Sequence, residues 1–333
     1  MATLKWGIVG CGDIANKSIA PALVADEHSK LVAFFSHSLE RAEEMRDRFG
    51  VEAAYDDLDA LLNDDRIEAV YLSSPVHRHC PEAVAAAEAG KHVLCEKPMA
   101  LSADDCRRMI QAARSNGVHL AVAYFRRFWP KARRMKRLIR DGSIGRPVSA
   151  RIRLGGLYDP SPQDPKHWRV RLAEGGGGAL QDVGSHRLDL MCYLLGEPRR
   201  VAGMADTLTM DYEVADTETL ICRFANGAHL VCETYWNLPR PLDEFEIRGS
   251  EGSLMATPFD AGPVLLLDRY EKIEELEVPP PEGIRHQALI EDFSEAIAEG
   301  RAPGFDGHDG MFATAVIAAA YRSWQTGRWE DVL

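Results

Sequence analysis

Asp182, His186 and Asp189 stand four and then three residues apart, so a helix across them carries all three on one face. Histidine is the side chain best suited to take or give a proton near neutral pH, and a carboxylate one turn away can orient it and balance its charge. The run Gly175 to Gly178 lies just ahead and would let the start of this helix approach a bound molecule closely. The same spacing suits a metal. A lone histidine with no second His or Cys in register is a poor zinc set, however, and no metal is assigned. Lys97, in Glu96-Lys97-Pro98, follows the apolar stretch His92–Cys95 and so falls at the carboxyl end of a strand, where open parallel sheets bind ligands. A lysine there can assist proton transfer; taken alone, the tripeptide reads as a strand end with a surface ion pair.

A second kind of chemistry is suggested by Gly10-Cys11-Gly12-Asp13-Ile14-Ala15, which reads G-x-G-x-x-A directly after an expected strand and at the start of an expected helix. The first glycine makes the tight turn, the second lets backbone amides approach a pyrophosphate, and the alanine lets helix and strand pack closely. At the end of the second strand, where an acidic residue usually receives the ribose hydroxyls of NAD, the chain has Ser36-His37-Ser38 and then Arg41. Ser36 and His37 can donate hydrogen bonds and Arg41 can offer a planar fork to a 2′-phosphate. The reading taken is NADP(H), with NAD(H) as the alternative; Ser38 also reads as a helix cap with Arg41 on the exposed face. His77-Arg78-His79-Cys80 superficially resembles a metal cluster, but it lacks distal ligands and reads as a loop leaving the third strand, with His79 near the start of the next helix.

The elements that must position these residues follow from periodicity. Strands are expected at Lys5–Val9, Leu31–Phe35, Ala69–Leu72, His92–Cys95 and His119–Ala121, with helices at Ile14–Leu23, Leu39–Phe49, Cys80–Ala89 and Ala103–Ser115 between them. Gly50, Gly90 and Gly117 end three of these helices. This alternation is that of a doubly wound α/β nucleotide-binding domain. The basic stretch Arg126 to Arg140 follows and reads as a solvated helix face. Beyond it, strands at Val148–Leu154, Arg200–Leu208, Glu218–Phe224, His229–Tyr235, Asp243–Arg248 and Val264–Asp268 succeed one another, which implies an antiparallel sheet. Helices are expected at Ala179–Leu195, Arg285–Glu299 and Asp309–Thr326.

Composition narrows the partners. The 333 residues exceed one ordinary core, and the net charge of −12 argues against nucleic acid or an anionic membrane, leaving a small molecule. Seven scattered cysteines with no C-x-x-C spacing read as reduced, mostly buried thiols of a cytoplasmic protein. There is no signal stretch ahead of the first strand and no apolar run of membrane-spanning length.

Together, in this order and spacing, these motifs resemble the glucose-fructose oxidoreductase / inositol dehydrogenase / MocA (Gfo/Idh/MocA) family over essentially the whole chain. The specific matches are the Gly10-x-Gly12 loop, the stretch Ala89 to Pro98, Arg126-Arg127-Phe128, Ile144-Gly145-Arg146-Pro147, the Asp182-x-x-x-His186 helix and Gly249-Ser250-Glu251-Gly252-Ser253. The resemblance implies a Rossmann dinucleotide-binding domain, residues 1–123, followed by an α/β domain with a large, open, mostly antiparallel sheet, residues 124–333, and an active site between them. It implies Lys97, Asp182 and His186 as the catalytic group, a cis Lys97–Pro98 peptide, and hydride transfer between NADP(H) or NAD(H) and a sugar, keto-sugar, polyol or related molecule. The expected cofactor contacts are Gly10, Cys11, Gly12, Asp13, Ile14, Ser36, His37, Arg41, Ser73, Ser74, Pro75, His79, Glu96, Lys97, Arg126 and the pair Trp168-Arg169. Pairing through the open face of the sheet, as a homodimer or homotetramer, is expected as well. Two alternatives on the same fold are a cofactor-retaining, redox-neutral glycoside-cleaving enzyme and a non-catalytic dinucleotide-sensing regulator. The chain departs from the family pattern at Val76 and Phe125, both positions commonly Asn, and at His286, where Tyr is frequent.

Overall fold

Strands rich in β-branched and aromatic residues, each followed by an amphipathic helix, build the first part of the chain. In the computed structural model, which describes residues 3–270, 272–280 and 283–333, they form six parallel strands. These are β1 (Leu4–Val9), β2 (Ser29–Phe35), β3 (Ala53–Tyr55), β4 (Ala69–Leu72), β5 (His92–Cys95) and β6 (Leu120–Val122), in spatial order β3-β2-β1-β4-β5-β6. Between them run α1 (Ala20–Ala25, entered through a π-helical turn at Ala15–Ile19), α2 (Leu39–Phe49), α3 (Leu58–Leu62), α4 (Val76–Glu88) and α5 (Ala103–Ser115). The order reverses between β1 and β4, so the loops after these two strands flank the crevice where such sheets bind ligands.

A second sheet of nine strands is built from β7 (Pro147–Leu157), β8 (Pro198–Asp206), β9 (Thr217–Phe224), β10 (His229–Tyr235), β11 (Asn237–Gly249), β12 (Gly252–Ala256), β13 (Val264–Asp268), β14 (Ile273–Leu276) and β15 (Glu330–Asp331). Its order is β14-β13-β12-β11-β7-β10-β9-β8-β15, antiparallel throughout except where β7 lies parallel to β10. Period-two burial marks β9 and β10: Glu218, Leu220, Cys222 and Phe224 face inward with Leu230, Cys232 and Thr234, while Ile221 and Val231 face outward. The helices of this part are α6 (Pro130–Arg140), α7 (Leu172–Gly175) and α8 (Ser185–Leu195), the last entered through a π-helical turn at Leu180–Gly184. Next come α9 (Gln287–Ala298) and α10 (Gly307–Thr326).

The described residues divide into two compact units. One holds those of Met1–Ala100, Asp104–Phe125 and Pro281–Met311; the other holds Leu101–Ala103, Arg126–Pro280 and Phe312–Leu333. In the first unit the sheet interior is filled by Trp6, Ile8, Phe34 and Tyr71, and α9 contributes Phe293, whose ring lies 5.4 Å from that of Trp6. No described helix is long and apolar enough to cross a membrane.

Three expectations need correction. The segment His77 to Cys80 is not a loop: α4 begins at Val76 and continues through Pro81, whose missing N–H removes one backbone hydrogen bond from the helix interior. The basic stretch is not simply a solvated face. Arg127 and Lys131 are buried, Arg127 in a forked pair with Asp189 and Lys131 on the carbonyl oxygens of Phe259 and Ala261 at 2.7 and 3.0 Å. Finally, Asp189 shares its helix with His186, but this pairing commits it to structure.

Candidate active site

Gly10 leaves β1 with φ +99°, in the left-handed region, and a Cβ there would lie 3.0 Å from the backbone of Ser73 and Ser74. Ser73 closes the same turn by donating to the carbonyl oxygens of Gly10 and Val9 at 2.8 and 3.0 Å. The end of β4 is thus tied to the glycine loop at the switch point. Gly12 is exposed, and a Cβ on it would meet nothing within 4 Å. The helix that follows opens at Asp13, and its first backbone bond runs from Asn16 N–H to Gly12 O at 3.0 Å, so its opening turn presents helix-start amides beside the loop. The residues present therefore fit a dinucleotide pyrophosphate. Asp13 pairs with Lys17 on the exposed side at 3.1 Å.

At the end of β2, Ser38 caps α2 by accepting from Arg41 N–H, and Ser36 accepts from Ser38 N–H. His37 is exposed and edges onto Phe35. Arg41 is exposed, and among the described residues it forms no ion pair. Burial pushes the Cys11 thiol up to about 11, against an opposing pull from the positive charge of Arg41. Arg41 thus stands close enough to the glycine loop to be felt there.

The loops after β4 and β5 are joined from behind. His79 is fully buried in α4, with one ring nitrogen 2.9 Å from Pro98 O and the other 2.9 Å from Ser74 O, and burial lowers its pKa. This explains why the histidine belongs there: it clamps two ligand-side loops and is not placed to coordinate a metal. Ser74 donates a short hydrogen bond to Glu82, whose carboxyl burial raises to about 7. Glu96 turns inward, accepting from Tyr71 OH at 2.7 Å and from Lys97 N–H at 2.9 Å, with His286 Nε2 at 3.6 Å. Lys97 itself is half-buried beyond the end of β5, and its peptide to Pro98 is cis. Two of the departures from the family pattern meet here, because the rings of Phe125 and His286 lie 4.3 Å apart and His286 Nδ1 is 2.7 Å from Ser18 Oγ.

In the second unit, Asp182 lies in the π-helical turn and His186 in the first turn of α8, both half-buried. Asp182 forms an ion pair with Arg169 at 3.0 Å, and the guanidinium of Arg169 also covers the ring of Trp168 at 5.6 Å. The Trp168-Arg169 turn is therefore bound to the carboxylate, a pairing that spacing along the chain does not disclose. The glycines ahead of Asp182 have a packing reason. A Cβ on Gly175 would sit 2.6 Å from Arg169 O, and one on Gly176, Gly177 or Gly178 would overlap Leu101, Tyr321 or the carbonyl oxygen of Ala215. Behind them Glu218 is buried, and burial raises its carboxyl to about 7 against the hydrogen bonds it accepts. Glu218 was not singled out from the sequence. Only its inward phase in the alternating pattern of β9 could have marked it as a buried charge.

Arg126, expected at the cofactor, is engaged by Asp260, which it holds with Nε at 2.9 Å and a shorter contact from Nη2. Burial alone would raise Asp260; Arg126 and Arg187 together keep it down at about 2. Among the described residues no disulfide joins any of the seven cysteines.

Comparison with known proteins identifies the family and the fold. Residues 4–124 match the Gfo/Idh/MocA family described as an oxidoreductase family with an NAD-binding Rossmann fold, and residues 132–255 match the C-terminal domain of the same family. The chain is 29% identical to 1,5-anhydro-D-fructose reductase of Ensifer adhaerens over 98% of each chain. It is 30% identical to the NADP(+)-dependent D-xylose 1-dehydrogenase 2 of Haloferax volcanii, over 97% of this chain and 98% of that one. A levoglucosan dehydrogenase solved with NADH and levoglucosan superposes with a TM-score of 0.89 at 27% identity, covering 99% of both chains. On these matches, which follow the switch-point loop and the Asp182–His186 helix alike, the chain belongs to the Gfo/Idh/MocA family of oxidoreductases.

Proposed function

We propose that this protein is an NAD(P)-dependent dehydrogenase or reductase acting on a CH–OH or C=O carbon of a sugar-like or polyol-like molecule. The observation that carries this reading is the Asp182–His186 face, with Asp182 held by Arg169, in a chain of that family. The nicotinamide, when bound, supplies the acceptor or donor of the hydride. In the oxidising direction His186 takes the hydroxyl proton as the carbon gives up its hydride, and it returns a proton to the oxygen in reduction. Asp182 orients His186, and Lys97 polarises the reacting oxygen through its ammonium group. Glu96, by accepting from the backbone N–H of Lys97, fixes the stem of that side chain.

NADP(H) is proposed over NAD(H). Ser36 and His37 offer no carboxylate to the ribose, and Arg41 can pair with a 2′-phosphate. Self-association is proposed through the outer face of the second sheet, where Ile221, Val231 and Trp329 are exposed around a depression of about 400 Å³. A monomeric mass by light scattering at micromolar concentration would contradict it.

The functional test is nicotinamide absorbance with a panel of D-xylose, levoglucosan, myo-inositol and 1,5-anhydro-D-fructose. Lys97→Ala and His186→Ala should each lower kcat by roughly 10²–10⁴-fold while cofactor binding stays measurable. Full activity in both variants overturns the assignment. Turnover without added cofactor and without net absorbance change would point instead to the redox-neutral reaction.

A further inference from the structure

The segment that carries Asp182 does not hold itself. Its residues Leu180–Gly184 form a single π-helical turn, a geometry that persists where the surroundings fix it. The backbone donor at its start goes to a buried carboxylate. Leu180 N–H donates to Glu218 Oε2 at 2.6 Å, and Thr234 Oγ1 donates to the same oxygen at 3.2 Å. Tyr321 gives a short hydrogen bond to Glu218 Oε1 and accepts from Gly178 N–H at 3.2 Å. The carbonyl oxygen of Gly178 in turn accepts from Asp182 N–H at 3.2 Å. Glu218, Thr234 and Tyr321 come from β9, β10 and α10, and all belong to the second unit together with Asp182 and His186.

A carboxylate buried to this degree is costly, and an apolar side chain would pack the same space at less cost. What the carboxylate adds is acceptor capacity aimed at the backbone just ahead of Asp182. The glycines let that backbone come within reach, since any side chain at Gly177 or Gly178 would overlap Tyr321 or Ala215. We propose that Glu218, seated by Tyr321 and Thr234, is a positioning residue for hydride transfer: it fixes the start of the Asp182–His186 segment and through it the placement of the proton-transferring histidine. This rests on the functional reading above. Small misplacements of reacting groups are costly in kcat while leaving ground-state binding nearly intact, which is the signature expected of such a residue.

The experiment compares Glu218→Gln, Glu218→Ala and Tyr321→Phe with the wild type. Steady-state kinetics use D-xylose, levoglucosan, myo-inositol and 1,5-anhydro-D-fructose with both cofactors, and hydrogen exchange is followed by mass spectrometry. Glu218→Ala should lower kcat by roughly tenfold to a hundredfold with KM and cofactor affinity within about twofold, and should speed exchange selectively at residues 178–186. Glu218→Gln, which keeps an acceptor for Leu180, should fall between Ala and wild type. Tyr321→Phe should act in the same direction. Wild-type kcat in Glu218→Gln and Tyr321→Phe overturns the proposal, as does a loss of kcat that accompanies faster exchange throughout the unit. If Glu218→Ala does not fold, the two milder variants decide by the same criteria. A wild type inert toward the whole panel overturns the functional reading instead. Exchange at 178–186 then decides separately whether Glu218 holds this segment, and unchanged exchange in the variants overturns that as well.

Discussion

Each of the two units holds a glycine-rich segment, and the two use glycine for opposite reasons. Gly12 faces open space, so the absence of a side chain keeps a surface clear beside helix-start amides. Gly175 to Gly178 face protein: each missing Cβ makes room for Arg169, Leu101, Tyr321 or Ala215. The first segment is shaped for something that arrives, the second for close contact that is already there. A glycine run therefore says that something approaches closely, and only the neighbours say whether it is a ligand or the protein itself. Each segment is also backed by a buried carboxylate raised to about 7, Glu82 through Ser74 in one unit and Glu218 through Leu180 in the other.

The largest effect should separate the two segments directly. Gly178→Ala drives a methyl group into a backbone carbonyl oxygen and should cost more than about 4 kcal/mol or prevent folding. Gly12→Ala, at ordinary φ and with space around it, should stay within roughly 1 kcal/mol of wild-type stability while weakening cofactor binding tenfold or more. Thermal unfolding and a fluorescence titration with reduced cofactor measure both. A stable Gly178→Ala protein, or an unfolded Gly12→Ala protein, would break the distinction.

Next in size is the pH dependence of the carboxylate behind the ligand-side loop. The folded state raises Glu82 from an ordinary 4.5 to about 7, so it favours the protonated form. The associated stability is fully present below the unfolded pKa and is lost as pH rises through about 7. Relative to Glu82→Gln, which mimics the neutral carboxyl, wild type should lose on the order of 3 kcal/mol between pH 4.5 and pH 8. Parallel denaturant titrations of the two proteins across that range would show it. A difference that does not change with pH would mean that Ser74 pairs with a carboxylate ionised throughout.

The smallest effect sharpens the reading of the glycine loop. NADPH should bind more tightly than NADH, and Ser36→Asp combined with Arg41→Ala should reverse that order, by roughly 1.5–3 kcal/mol for each charge-assisted contact before screening. Dissociation constants of both reduced cofactors on both proteins measure it. Tighter NADH binding by the wild type would leave Arg41 as a helix-surface residue only.

Much of the first unit was legible because its signals are local. Leu39–Phe49 combines a serine cap, amphipathic spacing and a terminal glycine, and α2 has the expected bounds; Ala69–Leu72 and His92–Cys95 are continuous apolar runs and form buried strands. β3 was missed because Ala53–Tyr55 is three residues long with two alanines, and β14 because Ile273–Leu276 is half charged. In the second unit β12 was missed, since Gly252–Ala256 follows a turn and reads as its continuation. Lys97, Asp182 and His186 stood out by type and spacing. Their supports did not: Arg169 on Asp182, Tyr71 on Glu96, and Tyr321 on Glu218 join residues 13, 25 and 103 positions apart, and no local periodicity encodes such pairs.

The central claim is that a hydride leaves or reaches carbon in this site, and isotope transfer tests it most directly. Whichever panel member changes nicotinamide absorbance is supplied deuterated at its CH–OH carbons, with oxidised cofactor, and the reduced cofactor is examined by mass spectrometry and proton NMR. One deuterium at nicotinamide C4 per turnover, accumulating roughly 10²–10⁴-fold more slowly in His186→Ala, is the predicted result. Product formation with no deuterium in the cofactor would contradict it.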